Sequence, residues 1–478
     1  MRTPAPSGAR RAAAALAAAV LLAFLPARAP ALGPHEIALV VNDASVDSIL
    51  LAQAYARVRA LPDCNIVRVT VPPAPDGLIP AAMTRADFKS EVFEPVRNTL
   101  AERGLSHQIL AWVYSCGFPV RVTAGEAGLA ASATNDLSIT GATFVRCAWP
   151  SDRDIVRGLY VSPLFAGPDA PDERPSPPVA FDQARNAILD DMPLPAAMLA
   201  WTGPRGLKLD DAIAAMERAG LSDFSMPAGT VWFATSGDVR STCRDWQFAA
   251  AAAAVDACEG VRAVIATNTP PPSAGRLVGC MAGAADVRIP KTFAAGSFAE
   301  HLTSYAAAFD RPIQTKAVKW LRGGAGFTSG TVAEPYALWQ KFPNAWIFPR
   351  LLAGLTQIEA WYQSVRCPLQ QLPLGDPLAK PWAPLVEPFV DGPEDEEVYG
   401  RVEFRCSIPG KYARKPPLYT WLVDGRKAGD GRTFIWDTTR EKDGPHFVRV
   451  VVRDTREDGI RHQGFYEAAY IVSNGGGE

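Results

Sequence analysis

The chain has 478 residues, of which 48% are apolar and 21% charged. One hydrophobic core stops growing near about 250 to 300 residues, so two or three folded units are expected, and the composition excludes wholesale disorder and fibrous architectures. With 48 basic against 50 acidic residues there is no basic excess of the kind a nucleic-acid-binding protein carries.

The first elements are those of an export signal. Arg2, Arg10 and Arg11 precede an unbroken apolar run from Ala12 to Leu25, followed by the small-x-small site Ala29-Pro30-Ala31. This order predicts a secretory signal peptide over residues 1–31, cleaved after Ala31. Fourteen apolar residues fall short of the about 20 needed to cross a bilayer, which argues against an uncleaved anchor. Arg10-Arg11 lacks the flanking pattern of a twin-arginine signal, so ordinary secretion is expected. Removal of Arg2, Arg10, Arg11 and Arg28 leaves 44 basic and 50 acidic residues, a net charge of −6. The mature chain is therefore expected in the periplasm or outside the cell, with no later membrane span and no nucleic-acid partner.

Export exposes Cys64, Cys116, Cys147, Cys243, Cys258, Cys280, Cys367 and Cys406 to an oxidising compartment, where disulfides are possible. Cys243 and Cys258 flank one alanine-rich helix, roughly 20 Å apart along it, too far for a bridge. There is no CxxC pair and no Cys/His cluster of zinc type, so neither a metal site nor a cofactor is implied.

From residue 36 the pattern alternates strand and helix. Glu36 to Asn42 (EIALVVN) reads as a buried strand. A helix follows, with Ser45 or Asp47 as its cap, and then a strand at Asn65 to Val71. This is a βαβ unit with parallel strands. A helix over Arg85 to Arg103 and a fully apolar strand at Gln108 to Ser115 continue it. Between about Val122 and Pro195 the texture turns to Pro, Gly, Asp and Ser, predicting long excursions off the sheet. Strands are expected again at Met198 to Thr202, Thr230 to Thr235 and Gly260 to Thr267, and helices at Leu209 to Ala219, Thr315 to Leu321 and Phe348 to Ser364. These elements make an α/β domain over residues 32–384.

Past Val386 the period becomes two: Val402, Phe404 and Cys406 alternate with charged residues, as do Tyr419, Trp421 and Val423. Asp424-Gly425 and Asp443-Gly444 mark turns. Residues 385–478 thus predict an all-β immunoglobulin-like sandwich.

Three segments could carry chemistry. Gly323 to Pro335 (GGAGFTSGTVAEP) has four glycines in eight residues, which allow close backbone approach. It lacks the GKS/GKT ending of a phosphate loop and reads best as a strand-to-turn packing motif. Phe298 to Tyr305 (FAEHLTSY) places His301, read at a helix start, beside the Thr303 and Ser304 hydroxyls. Base and nucleophile types therefore occur together there. Leu374 to Leu378 (LGDPL) is a turn whose Asp376 can cap backbone N–H groups.

The stretches ALVVNDASVDS, ILAWVYSCGFPVRV, HLTSYAAAF, QTKAVKWLRGGAGFTSGTVAEPY and LGDPLAKP, all between Ala38 and Pro381, resemble a family of secreted bacterial proteins found in species that carry the exosortase protein-sorting system. The segment Gly260 to Pro381 is also similar to the gingipain-type caspase-like cysteine peptidases. The resemblance implies a caspase-like, mostly parallel sheet with helices on both faces. By order it places Val278 to Gly283, with Cys280, where those enzymes have His-Gly, and His301 to Ser304 where they have the catalytic Cys. Position 282 is alanine, however, and no cysteine lies between Cys280 and Cys367. The usual dyad, an imidazole beside a thiol, is therefore missing.

Two functions are compatible with this reading. One is a binding or assembly role in cell-envelope or exopolysaccharide biology, with an envelope protein or polysaccharide as partner. The other is a hydrolase of peptidase or esterase type with a rearranged site, His301 as base and Ser304, Thr303 or Cys280 as nucleophile. A scaffold with no small-molecule site is the third, purely structural alternative.

Overall fold

The computed structural model describes residues 32–123, 135–176, 181, 193–409, 416–455 and 461–475. Residues 1–31, read above as an export signal, and much of the region between Val122 and Pro195 lie outside them.

Ten strands build the central sheet: β1 Ile37–Asn42, β2 Ile66–Val69, β3 Ala111–Tyr114, β4 Ala196–Met198, β5 Gly229–Thr235, β6 Val261–Thr267, β7 Leu277–Gly283, β8 Phe293–Leu302, β9 Phe327–Thr331 and β10 Gln371–Gly375. Their order is β2-β1-β3-β4-β10-β9-β8-β7-β5-β6. The pairs β1/β2, β1/β3, β3/β4, β8/β9, β7/β8, β5/β7 and β5/β6 are parallel. β10 lies antiparallel to β9 over five residue pairs and meets β4 at Leu374 and Met198.

The local reasons follow the expected βαβ logic. β1 is buried at all six positions, which requires cover on both faces of the sheet. α1, Val46–Arg59, starts where Ser45 Oγ accepts the Ser48 N–H at 3.2 Å and ends at left-handed Ala60. It packs against β1 and against α2, Leu209–Gly220. The alanine run forms α3, Phe248–Asp256, whose Ala251, Ala252 and Val255 are buried against β6.

Three expectations need correction. The helix expected over Arg85 to Arg103 contains a π-helical stretch at Phe88–Phe93 before the α-helix Glu94–Glu102. The helix expected over Phe348 to Ser364 is two, α4 Ile347–Leu352 and α5 Gln357–Ser364. Gly354 turns the chain at φ 92°, and Thr356 with Glu359 forms a capping box that restarts it. His301 is not at a helix start but at the end of the ten-residue strand β8. The possible disulfides are not formed in this structure, where all eight cysteines are free. Cys243 and Cys258 each direct the thiol to a carbonyl of their own helical turn, Arg240 O and Ala254 O.

Beyond Pro381 a second core forms around Phe404, Trp421, Trp436 and Val450. Phe389–Asp391, Arg401–Ser407 and Thr433–Asp437 make one sheet. Glu397–Val398, Arg461–Val472, Gly444–Thr455, Leu418–Val423 and Arg426–Asp430 make the other. The alternation read from the sequence is the burial pattern of Arg401–Ser407, exposed and buried in turn. Asp424 and Gly425, both at positive φ, close the hairpin between Leu418–Val423 and Arg426–Asp430.

This sandwich docks on the edge of the sheet where the parallel strands begin. Arg453 Nη2 reaches Glu36 Oε1 at 2.8 Å, just before β1, and Arg449 Nη2 reaches Ala60 O at 2.6 Å. Gln108 Nε2, ahead of β3, donates to Gly425 O at 2.7 Å. The opposite edge, where parallel strands end and open α/β sheets usually bind ligands, is left to the loops.

Candidate functional site

β7, β8 and β9 are neighbours, so Val278 to Gly283, His301 to Ser304 and the Gly330 end of the glycine-rich segment converge on the strand-end edge, whereas Gly323 to Gly326 lead into β9 from the other edge, where Gly326 packs on Gly296 and the GDP turn also lies. Ala282 stands opposite His301, and Phe298 opposite Phe327. The loop after β8 then crosses β9 closely: Ala307 N donates to Thr331 O at 3.0 Å, and a Cβ on Gly330 would lie 2.7 Å from Ala306 Cβ. That approach accounts for the glycine, as a packing motif rather than a phosphate loop.

His301 is buried, and both ring nitrogens are engaged. Trp320 Nε1–H donates to Nδ1 at 2.9 Å, which leaves Nε2 to carry the proton and donate it to Thr315 O at 3.1 Å. Burial lowers its pKa to about 3. A general base needs a free lone pair within reach of the proton it removes, and this imidazole has none. Its strand neighbour Glu300 is equally buried and pairs with Arg244 at 2.6 Å. Burial raises the Glu300 carboxyl to about 7 against the opposing pull of Arg244. Arg244 also donates to Ala282 O and Pro343 O, tying β7 and β8 to the chain ahead of α4.

The hydroxyls are placed apart from the imidazole's bonds. Thr303 Oγ1 donates to Gln314 Oε1 at 2.9 Å and is fully buried. Ser304 Oγ, half-buried, donates to Glu334 Oε1 at 3.1 Å, and Glu334 also accepts the Tyr336 N–H. Lys316 Nζ donates to Tyr305 O and Ile313 O, and burial lowers it to about 8. These bonds fix the loop after β8; none of them activates a nucleophile.

Cys280 is enclosed with Ala299, Trp320 and Ala325, and burial, with Glu300 adding to it, pushes its thiol well up. The same direction holds for all eight thiols, each raised chiefly by burial, with Cys116 at about 12. A reactive cysteine needs the reverse shift. Among the described residues no cluster of His, Cys, Asp and Glu could hold a metal ion, and no helix is long and apolar enough to cross a membrane.

Sequence reasoning missed the ionic cluster at the other edge. Asp376 of the GDP turn caps Leu378 N at 3.0 Å, as its turn chemistry implies, and also accepts from Tyr55 Oη at 3.0 Å and from Arg59 Nε at 2.9 Å. Arg59 bridges onward to Asp223 at 2.6 Å. The cluster borders a cavity of ≈ 420 Å³ between the two units, walled by Leu32, His35, Phe224, Lys380 and Phe465 among others. Only the GDP signature hinted at it, since Arg59 and Asp376 are 317 residues apart.

No family model and no curated protein matches the chain. Among solved structures, the fibronectin(III)-like modules of Clostridium thermocellum CbhA match at 16% identity and a TM-score of 0.14, over 23% of this chain and 55% of theirs, about half that structure's length. The endo-β-1,4-mannanase of Thermotoga petrophila matches at 12% identity and a TM-score of 0.15, over 83% and 98%. Fold and site together define a two-unit protein, a mixed but mainly parallel α/β sheet joined to a β-sandwich.

Proposed function

We propose that this is an exported protein whose caspase-like α/β domain binds rather than cleaves, in cell-envelope or exopolysaccharide biology, with an envelope protein or polysaccharide as partner. The observation that carries the reading is His301: with one nitrogen accepting from Trp320 and the other donating to Thr315 O, the imidazole is a structural group. The eight raised thiols support it, because none is poised as a nucleophile. The hydrolase reading around His301 and Ser304 loses its base, and the Ser304 hydroxyl donates to the Glu334 carboxylate, with no imidazole bonded to it.

Serine- and cysteine-directed covalent probes test this on folded protein. Labelling is expected to stay at background, while the protein co-sediments saturably with envelope polysaccharide from a producing strain. Stoichiometric labelling of Ser304 or Cys280 that disappears in His301→Ala would overturn the reading.

A further inference from the structure

The first described residue, Leu32, is not a loose end. Its side chain is buried, and its backbone nitrogen donates to Glu359 Oε2 at 3.1 Å. Gly33 N follows it onto Glu36 Oε2 at 2.9 Å. Glu359 is itself buried; Thr356 gives it a hydroxyl bond at 2.6 Å and an amide bond at 3.3 Å. No lysine, arginine or histidine of the described residues makes an ion pair with this carboxylate. Lys380 directs its ammonium to Gln463 O instead, and Glu36 adds a charge of the same sign as Glu359. A buried carboxylate held only by neutral donors is costly, and burial lifts this one to about 7.

The export signal read from the sequence ends one residue earlier, at Ala31. We propose that Glu359 is the receptor for the α-ammonium created when the Ala31–Leu32 bond is cut, so that signal removal supplies the missing cation. Hydrolysis of that bond consumes one water, leaves a carboxylate on Ala31 and puts a protonated amine on Leu32, at the atom already within hydrogen-bond distance of Glu359. The ion pair then ties the new chain end to α5, whose first residues are bonded to the turn after Asp376 through Gln357 N to Ala379 O and Ile358 N to Pro377 O. The end of processing is thereby coupled to the packing of the GDP turn. Leu32 also borders the cavity between the units, which leaves space for water beside the ammonium. This inference rests on the exported reading above.

Two chains separate the claims: one beginning at Leu32 and one that keeps Ala31, each with Glu359 and with Glu359→Gln. The Leu32 chain is expected to unfold several degrees above the Ala31 chain. Glu359→Gln should lower the Leu32 chain markedly and the Ala31 chain little. Acylation of the α-amine at neutral pH should be about tenfold slower in the Leu32 chain than in its Glu359→Gln variant. Equal effects of Glu359→Gln on both chains, or an α-amine that acylates as fast with Glu359 as without it, would overturn the ion pair. N-terminal sequencing of the exported protein tests the processing site separately, so a different cut fails that reading without touching the measured pair.

Discussion

The imidazole of His301 shows how residue chemistry is decided by surroundings that a linear sequence does not display. Its neighbours in the chain, Glu300, Thr303 and Ser304, are the types that make a catalytic group, yet its bonding partners are Trp320 and Thr315, 19 and 14 residues away. The folded ring stays neutral down to about 3, whereas an unfolded one protonates near 6.5. Over that interval the unfolded state binds more protons, so this residue's contribution to stability falls as pH drops through it. His301→Ala is expected to cost about 2 to 4 kcal/mol above pH ~6.5, with the cost shrinking toward acid, as urea unfolding across pH would read. Arg244 makes a sharper case. Removing it leaves Glu300 buried without its cation, so Arg244→Met should destabilise by about 3 to 5 kcal/mol, and Glu300→Gln by less.

At the level of elements, what could be read was what alternates or carries a stop signal. β1, α1, β2 and α2 follow from apolar period and, for α1, its cap, whereas the single helix read across Phe348 to Ser364 passes over the T-x-x-E signature at Thr356 to Glu359, a capping box that splits it. β7 (LVGCMAG) and β8 (FAAGSFAEHL) were not legible as strands from local pattern. They are almost fully buried, so neither face alternates, and their Ala and Gly content carries little β-propensity. The glycines of the GTVAEP stretch were legible as a close approach but not as an approach to Ala306. Gly330→Ala puts a Cβ 2.7 Å from Ala306 Cβ and 2.9 Å from Ala307 N, and backbone cannot yield as a flexible side chain would. A loss of about 1 to 3 kcal/mol is expected, measurable as a lowered denaturant midpoint with unchanged slope.

On the scale of the whole molecule, two units were visible in the sequence as a change of period near residue 385, but their junction was not. It is made by Arg453, Arg449, Gln463 and Gln108, polar side chains whose partners lie in the other unit. Arg453→Met leaves Glu36, 6% exposed at its side chain, without its cation. It is expected to lower the unfolding temperature of both units together, and two separated calorimetric transitions in the wild type would contradict that coupling. The sandwich covers the strand-start edge, and the strand-end edge carries the residues that chemistry would need, held there by structural bonds. The most direct test of this account is nitrogen NMR of the His301 ring in the intact protein. A neutral ring with the proton on Nε2 and no titration between pH 5 and 8 is expected; a ring that titrates near pH 6.5, or carries its proton on Nδ1, would mean that the Trp320 and Thr315 bonds do not hold it.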